Sequence, residues 1–557
     1  MTTPALDAPE RARIRDARSG VRAVHRPLLA PAVAARAATT ALIVGVAGDA
    51  LLRGGPAGVG LPVWVALIAL CMVSLIWTAK RTVSHEAGAW LAVAVVFACG
   101  LAWRASEMLQ LFDFAASAGA LAMAAIALSN RRAAIFALRL RDTLWAFRTV
   151  ALQTMAGVAP LTRDLAAAGF SARWLRLERP VVRGGLIVTA VLLVFGSLLR
   201  SADPIFASLV ALPSLDVPSL LGHLFLIGFF GWVFAGWARS GLAINPDARR
   251  APDGMPFALD LFDVTTTLTS LNVLFAAFVA TQLGWFFGGE RFLQARTGLT
   301  VASYARQGFF QMLCVVALVV PLLVATRAAL RPGRELARRH TLLSLPIVAL
   351  LGAIVVSAML RMKLYVHYYG MTPDRFYPVV VMLWLAAVLV WLAATVLRGW
   401  GRPFVAGSLV SGLVTLAALN IADPDMIVAR INVDRAARLA QTGEPTLDLG
   451  FLAELTGRAV VVATRATLAN SIGLDGSQLR DLDDAQRCEA ATELLRRWGP
   501  TSPTRIRQTE NASWRTWNAD DGIALNAVAP HTAQLRSVQH ATCARARHAR
   551  AGRAAQR

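Results

Sequence analysis

Charge is scarce in this sequence. Only 16% of the 557 residues are Asp, Glu, Lys or Arg, whereas 56% are hydrophobic. A soluble chain of this length would divide into several domains and carry far more polar surface. The apolar residues instead occur in runs of about 17 to 25, the length of helix that crosses a bilayer. The scarcity of charge therefore predicts a polytopic membrane protein.

Lysine is almost absent. Lys80 and Lys363 are the two lysines, so the net charge of +22 rests on arginine. A strongly basic chain can bind nucleic acid. Here, however, the arginines flank apolar runs, as they do in membrane proteins whose basic residues set the orientation. We therefore expect the lipid bilayer, and not nucleic acid, as the partner of this charge.

Cysteine is also rare, and the five cysteines form no Cys-x-x-Cys pair. Their spacing supports neither a zinc ribbon nor a thioredoxin-type redox motif. Cys488 and Cys543 both lie in the C-terminal part of the chain, where an oxidising compartment would allow a disulfide. Two unpaired thiols are the alternative, and the sequence leaves both open.

Familiar catalytic signatures are missing as well. The chain has no Gly-x-x-x-x-Gly-Lys-[Ser/Thr] phosphate loop, no His-Glu-x-x-His zinc motif and no Gly-x-Ser-x-Gly nucleophile elbow. We therefore assign no catalytic residue, no metal ligand and no cofactor, and we do not expect an enzyme.

The apolar runs predict an all-α fold with eleven transmembrane helices within residues 33–421. They cover about 34–52, 60–79, 87–105, 111–129, 184–200, 219–238, 262–283, 308–328, 341–360, 377–397 and 403–421. A basic arm, 1–32, precedes them and is expected to be disordered. Residues 422–535 are expected to form a small, mainly helical unit, and the Ala- and Arg-rich stretch 536–557 a disordered tail.

Basic residues are distributed unevenly between alternate loops. Most of them lie in the arm 1–32, in the long loop 130–183 and in every second loop that follows. The positive-inside rule then places the N-terminus in the cytoplasm of a bacterium. An odd number of helices places the C-terminal unit outside the plasma membrane. Loop 130–183 is either an ordinary cytoplasmic loop or contains an amphipathic helix on the membrane surface.

Two stretches on the predicted outer side share a pattern. Each combines a Gly-[Leu/Met]-Thr turn with an arginine and aromatic residues, in 297–310 and in 364–377. Tyrosine and arginine are typical of a belt at the membrane interface. The alternative is an external cavity whose arginines face an anionic or phosphate-bearing group. The candidate binding residues are Asp203, Tyr304, Arg306, Tyr365, Tyr369 and Arg375.

Polar side chains inside the spans are a second set of candidates. Asn272 and Gln282 lie in the seventh predicted helix. An amide in lipid needs a hydrogen-bonding partner, so such residues are functional candidates by default. Hydrogen bonds that hold neighbouring helices together are the simpler interpretation.

An ordered series of motifs resembles a known family. The motifs are Leu271-Asn-Val-Leu-Phe, Thr297-Gly-Leu-Thr, Tyr369-Gly-Met-Thr-Pro-Asp-Arg-Phe-Tyr, Asp423-Pro-Asp-Met-Ile-Val-Ala-Arg-Ile-Asn and Trp514-Arg-Thr-Trp-Asn. The series is similar to the bacterial membrane family called domain of unknown function 4173. The resemblance implies a membrane architecture without an assigned reaction. Gln311 stands where that family usually has Glu, which weakens an acid–base role at this position.

Three classes of function fit these features. The first is transport or another envelope-associated role, and a polar path through the helices would favour it. The second is a sensor or scaffold whose outer unit binds an envelope protein or a lipid headgroup, which a sealed bundle would favour. The third is an enzyme acting on a lipid-linked substrate, which a closed outer pocket joining Asp203, Arg306 and Arg375 would favour. The sequence leaves the oligomeric state open.

Overall fold

The structure is a computed structural model. It describes residues 29–53, 55, 58–129, 140–167, 188, 191, 195, 217–242, 259–297, 309–331, 333–399, 402–440, 447–474, 477–509 and 514–555. In this part of the chain, ten helices are long and apolar enough to cross a membrane. The fold is that of an all-α polytopic membrane protein, as the sequence predicts.

Twelve helices precede the C-terminal unit in the described ranges. They are α1 (Pro31–Leu52), α2 (Gly60–Thr78), α3 (His85–Trp103), α4 (Glu107–Ser129), α5 (Leu140–Ala156), α6 (Val158–Ala167), α7 (Val217–Leu242), α8 (Leu261–Thr297), α9 (Phe309–Ala328), α10 (Arg334–Tyr369), α11 (Pro373–Thr395) and α12 (Arg402–Ala422). All but α5 and α6 are apolar and long enough to span. Each of these ten coincides with a predicted span.

The remaining predicted span, 184–200, lies outside the described residues except for three positions. Val188, Val191 and Phe195 are helical and exposed. Residues 1–28, which make up most of the basic arm, also lie outside the described residues.

The spanning helices form two bundles with separate cores. In the first bundle, α1–α4 and α7 pack together with α5 around an apolar core. In the second bundle, α8–α11 share another core. Helix α12 packs beside both, because its Leu416 belongs to a buried cluster with Phe97 of α3, Leu109 of α4 and Phe376 of α11.

Small residues allow close approach of helices in the first bundle. A Cβ atom added to Gly45 of α1 would lie 2.5 Å from the carbonyl oxygen of Ile227 in α7. Because van der Waals packing drives helix association in lipid, small residues at such crossings let backbones meet. Gly45 therefore sets the distance between α1 and α7.

The C-terminal unit spans residues 424–555. Its elements are α13 (Pro424–Leu439), α14 (Leu449–Glu454), α15 (Gly457–Ala469), β1 (Ser471–Leu474), β2 (Ser477–Arg480), α16 (Asp484–Trp498), α17 (Pro503–Thr509), α18 (Ala519–Val528) and α19 (Thr532–Ala555). Strands β1 and β2 form an antiparallel hairpin in which Ser471 pairs with Arg480. Buried Leu452, Val460 and Trp498 belong to its apolar core.

Helix α19 ends at Ala555 and covers most of the stretch 536–557, for which composition predicts disorder. Its alanines favour helix, and Leu535 is fully buried in the core of the unit. A disulfide joins Cys543 to Cys488 of α16, with 4.9 Å between their Cα atoms. Arg545 adds two hydrogen bonds of 2.7 and 2.8 Å to the Asp484 carboxylate. These contacts with α16 attach α19 to the unit, although the composition of α19 alone is typical of a solvent-exposed segment.

The contacts between helix ends define two opposite faces of the bundles. Arg36 at the start of α1 donates to Thr78 at the end of α2, at 2.6 Å. On the opposite face, Arg104 at the end of α3 donates to the Asn420 carbonyl near the end of α12, at 2.8 Å. The C-terminal unit follows α12 directly. It therefore lies on the face opposite the start of α1.

Candidate functional site

A buried polar cluster lies where the C-terminal unit meets the first bundle. We call it the Arg104 cluster, and it consists of Arg104, Asn420, Asp423, Asn518 and Asp520. Nη1 of Arg104 lies 3.2 Å from Oδ2 of Asp423 and 3.4 Å from Oδ1 of Asp520. Arg104 is only 5% exposed. One guanidinium thus joins the end of α3 to segments more than 300 residues away in the sequence.

Asn518 caps two helices with a single side chain. Its Oδ1 accepts hydrogen bonds from the backbone N–H of Asp520 and Asp521, at 3.0 and 3.2 Å, and so caps the start of α18. Its Nδ2 donates to the carbonyl oxygens of Leu101 and Arg104, both at 2.9 Å. Carbonyls at the end of α3 lack partners within that helix. Asn518 therefore fastens the start of α18 to the end of α3.

Asp423 starts α13 in an unusual backbone conformation. Its φ of 60° is left-handed, which is uncommon for a residue other than glycine. Its carboxylate caps the helix by accepting from the Met426 N–H at 3.3 Å, and it also faces Arg104. Pro424 fits the first position of this helix. The strained turn redirects the chain from α12 into the C-terminal unit within one residue.

Asp425 belongs to the same turn and faces the interior of the unit. Its Oδ2 accepts from the Thr456 hydroxyl at 2.5 Å and from the Thr456 N–H at 2.9 Å. Burial raises the pKa of its carboxyl, and the bonds from Thr456 oppose that rise. Asp425 thus ties α13 to the start of α15.

The Arg104 cluster holds more carboxylates than cations. Burial raises the pKa of Asp520 to about 6, although Arg104 and the N–H of Ala105 favour the ionised form. Asp423 competes with Asp520 for the same guanidinium. The net charge of the junction therefore changes as the pH passes through a mildly acidic range.

The cluster continues into the membrane through Asn420. Its Nδ2 donates to Oδ1 of Asp113 in α4 at 2.8 Å. Asp113 is completely buried. Gly100 of α3 makes room for this carboxylate, since an added Cβ atom would collide with Oδ2 of Asp113. A chain of polar contacts thus runs from a buried acid in α4 to the C-terminal unit.

The second bundle has its own attachment to the unit, through α13. Asn432 accepts from the Met371 N–H at 2.8 Å and donates to the Met371 carbonyl at 2.7 Å. Arg435 donates to the carbonyls of His367 and Tyr368, both at 2.8 Å, and so caps the end of α10. The unit is therefore fastened to both bundles.

Three of the predicted outer-face residues come together beside this attachment. The guanidinium of Arg375 lies 4.2 Å from the ring centroid of Tyr365 and 5.9 Å from that of Tyr369. Arg375 also donates to the carbonyls of Tyr369, at 3.1 Å, and Gly370. These contacts are internal and close the end of α10. The other three candidates, Asp203, Tyr304 and Arg306, lie outside the described residues.

The two intramembrane candidates connect α8 to α10. Asn272 donates to the carbonyls of Leu268, at 2.9 Å, and Leu343, at 2.8 Å. Oε1 of Gln282 accepts from Ser357 at 3.2 Å and from Arg361. Both amides therefore make the interhelical bonds that hold a bundle together in lipid.

Apolar residues separate the polar groups along α10. Ser344 lies in a buried group with His340 near one end, and Ser357 lies beside Gln282 toward the other. Between the two serines, Ile347, Leu351 and Ile354 are fully buried. This stretch is about 20 Å long at the rise of an α-helix. Helix α10 therefore contributes no polar side chain to the core at Ile347, Leu351 and Ile354.

Helix α4 is apolar toward the face that carries the start of α1. Every buried residue of α4 from Ala120 to Leu128 is apolar. Within the described residues, no group of three or more His, Cys, Asp or Glu side chains is arranged to hold a metal ion. The buried ion pair of Arg239 in α7 with Asp164 in α6 lies on the face opposite the junction, so the first bundle has buried charge on both faces.

Sequence reasoning missed the Arg104 cluster, although three signals pointed to it. Asp423 and Asn518 both belong to motifs that carried the family resemblance, and each has the chemistry of a helix cap. Asp113 is an acid within an apolar run, which is a functional candidate by default. Arg104 itself resembles the other arginines that flank apolar runs, so nothing local distinguishes it.

The fold and this junction define a polytopic helical membrane protein with a small helical unit attached at one face. The family model described as "Domain of unknown function (DUF4153)" matches residues 91–466, which is more than half of the chain. The protein belongs to this family. The resemblance to a family of unknown function is thus confirmed, but the number 4173 is wrong. No curated protein and no solved structure matches the chain.

Proposed function

We propose that this protein is a membrane-anchored scaffold of the bacterial envelope, which holds its C-terminal unit rigidly outside the plasma membrane for an anionic partner. The observation that carries the proposal is the double attachment of the unit. Buried side chains fasten it to the first bundle through Arg104 and to the second through Asn432. A unit that only followed the last helix as a flexible tether would need neither contact.

The buried apolar positions along α10 support a scaffold over a transporter. The buried apolar stretch on α10, with Ile347, Leu351 and Ile354, offers no partner to an ion or a polar solute. Outward orientation of the unit is supported by the basic loops on the opposite side and by the disulfide between Cys488 and Cys543, a bond typical of oxidising compartments.

Helix α19 suggests the chemical class of the partner. It carries five arginines and two histidines but no acidic residue. Arg536, Arg547 and Arg550 are exposed. Helix α19 packs mainly on α16 and α15, and no spanning helix is among its main contacts in the described part of the chain. An exposed basic stripe attracts polyanions, and a phosphate-rich envelope polymer fits it.

The partner class can be tested by binding of a polyphosphate of defined length to the purified protein in lipid nanodiscs. Replacing Arg536, Arg547 and Arg550 together by Gln is expected to weaken binding at least tenfold. The matched control replaces the same number of exposed arginines elsewhere on the unit, at Arg458, Arg465 and Arg480. Control binding should change less than twofold. Equal losses in both variants, or no binding by the wild type, would overturn the proposed partner class.

The buried apolar positions along α10 can be tested by thiol accessibility. In a protein without its free cysteines, Cys placed at Ile347, Leu351 or Ile354 should not react with a charged, water-soluble maleimide. Cys placed at the exposed position of Arg338 is the matched control on the same helix and should react. Reaction at the three buried positions at the control rate would reveal a water-filled path and favour transport.

A further inference from the structure

Two buried oxygen atoms at the edge of the Arg104 cluster have no hydrogen-bond donor among the described residues. They are Oδ2 of Asp113 and Oδ1 of Asn420. Asp113 is 0% exposed and Asn420 is 7% exposed. Both oxygens approach the same point, because a Cβ atom added to Gly100 would collide with the first and lie 3.1 Å from the second. Two buried acceptors thus lie close to one point, and no described donor reaches either of them.

The orientation of the Asn420 amide follows from its other bonds. Its Nδ2 donates to Oδ1 of Asp113 at 2.8 Å and to the Leu416 carbonyl at 3.1 Å. A flipped amide would place an oxygen against both of these acceptors and lose both bonds. Oδ1 of Asn420 therefore has to face Gly100, and it needs a donor from elsewhere.

Charged neighbours do not supply that donor. Arg104 is the cation of the cluster, and its contacts go to Asp423, Asp520 and the Asn420 backbone. Among the described residues, Tyr377 in α11 is close enough to interact electrostatically with Asp113 and with Asp425 of α13. Tyr377 bonds Ser106, and Asp425 bonds Thr456. Glu107 is at the start of α4. An ionised Asp113 would add an uncompensated anion to a buried site that already has excess carboxylate.

We propose that Asp113 and Asn420 form a proton-binding site. Asp113 carries the proton on Oδ2 and donates it to Oδ1 of Asn420, which satisfies both unpartnered oxygens with one hydrogen. Release transfers this proton to water and leaves Asp113 as an anion. The backbone carbonyl of Asn420 accepts from Arg104, so the protonation state acts directly on the junction with the C-terminal unit. The site does not depend on which partner the unit binds.

Infrared difference spectroscopy in nanodiscs tests this site at pH 7. The wild type should show the C=O stretching band of a protonated carboxyl, with a shift in D₂O. Asp113→Asn, which resembles the protonated acid in shape and charge, should lack the band. The matched control is Asp374→Asn on α11, an exposed acid that should leave the band in place.

A second variant keeps the test decisive if Asp113→Asn does not fold. Asn420→Ala retains the acid and removes its acceptor, so the band should persist at a shifted frequency. Persistence of an unshifted band in Asn420→Ala, or of the band in a folded Asp113→Asn protein, would overturn the proposal. Loss of the wild-type band when Na⁺ replaces K⁺ at constant pH would instead identify a sodium site.

Discussion

Arg104→Gln is the sharpest perturbation of the junction. The substitution keeps a polar side chain but removes the cation that faces Asp423 and Asp520, whose side chains are 5% and 4% exposed. Breaking a buried ion pair by removing one partner costs roughly 3 to 5 kcal/mol, because the remaining charge stays buried and uncompensated. We expect the free energy of docking of the C-terminal unit onto the first bundle to weaken by this amount.

Amide hydrogen exchange of α18 measures that loss. Each 1.4 kcal/mol corresponds to about a tenfold change in an equilibrium constant, so protection in 519–528 should fall roughly 100- to 4000-fold. Adding Asp520→Asn to Arg104→Gln removes one of the orphaned charges and should restore part of the protection.

The matched control for this experiment lies on the opposite face. Arg239 of α7 pairs with Asp164 of α6 at 2.8 Å in an equally buried setting. Arg239→Gln should leave the protection of α18 unchanged. Unchanged protection in Arg104→Gln, or an equal fall in Arg239→Gln, would refute the assignment of docking energy to Arg104.

Three further predictions address the same junction. Gly100→Ala should lower thermal stability by about 1–3 kcal/mol in a detergent melt, because its methyl group collides with the Asp113 carboxylate; wild-type stability would contradict the close packing. Asn432→Ala should cost about 1–3 kcal/mol and speed exchange in α13 more than in α18, since Met371 loses both bonds. Docking should weaken as pH rises from about 4 to about 6, because burial raises the pKa of Asp520 and the docked state binds the proton more tightly. Asp520→Asn should remove this pH dependence, as read from α18 exchange, and a persisting slope would assign it to another group.

The spanning helices could be predicted from the sequence because their signal is local. A run of apolar residues with the length of the bilayer core is sufficient, and the runs at 60–79 and 377–397 recur as α2 and α11. Local chemistry also explains the contact of Arg375 with Tyr365 and Tyr369, since all three lie near one turn between α10 and α11.

The Arg104 cluster could not be predicted because its members are far apart in the sequence. Nothing in the residues around Arg104 specifies that Asp423 and Asp520 will pack against it. The Asp423-Pro-Asp motif does predict a helix cap, but a cap does not reveal which cation it meets. The pairing emerges only when α12 and the C-terminal unit pack against α3.

Composition was misleading for the end of the chain. The stretch 536–557 has few large apolar residues and many arginines, a pattern typical of disorder. Leu535, Cys543 and Arg545 nevertheless attach α19 to the unit through packing, a disulfide and a paired carboxylate. Arg545 also lowers the pKa of the Asp484 carboxyl, because it donates hydrogen bonds to the ionised form.

Rigid attachment of the C-terminal unit to the membrane helices is the central claim, and a spin-label distance tests it most directly. Labels on cysteines placed at exposed Arg458 of α15 and exposed Arg338 of α10 report on the unit and on the second bundle. Double electron–electron resonance in nanodiscs should give one narrow distance distribution, which broadens in Arg104→Gln. A broad or multiple distribution in the wild type would mean that the unit is loosely tethered, and it would contradict the scaffold account.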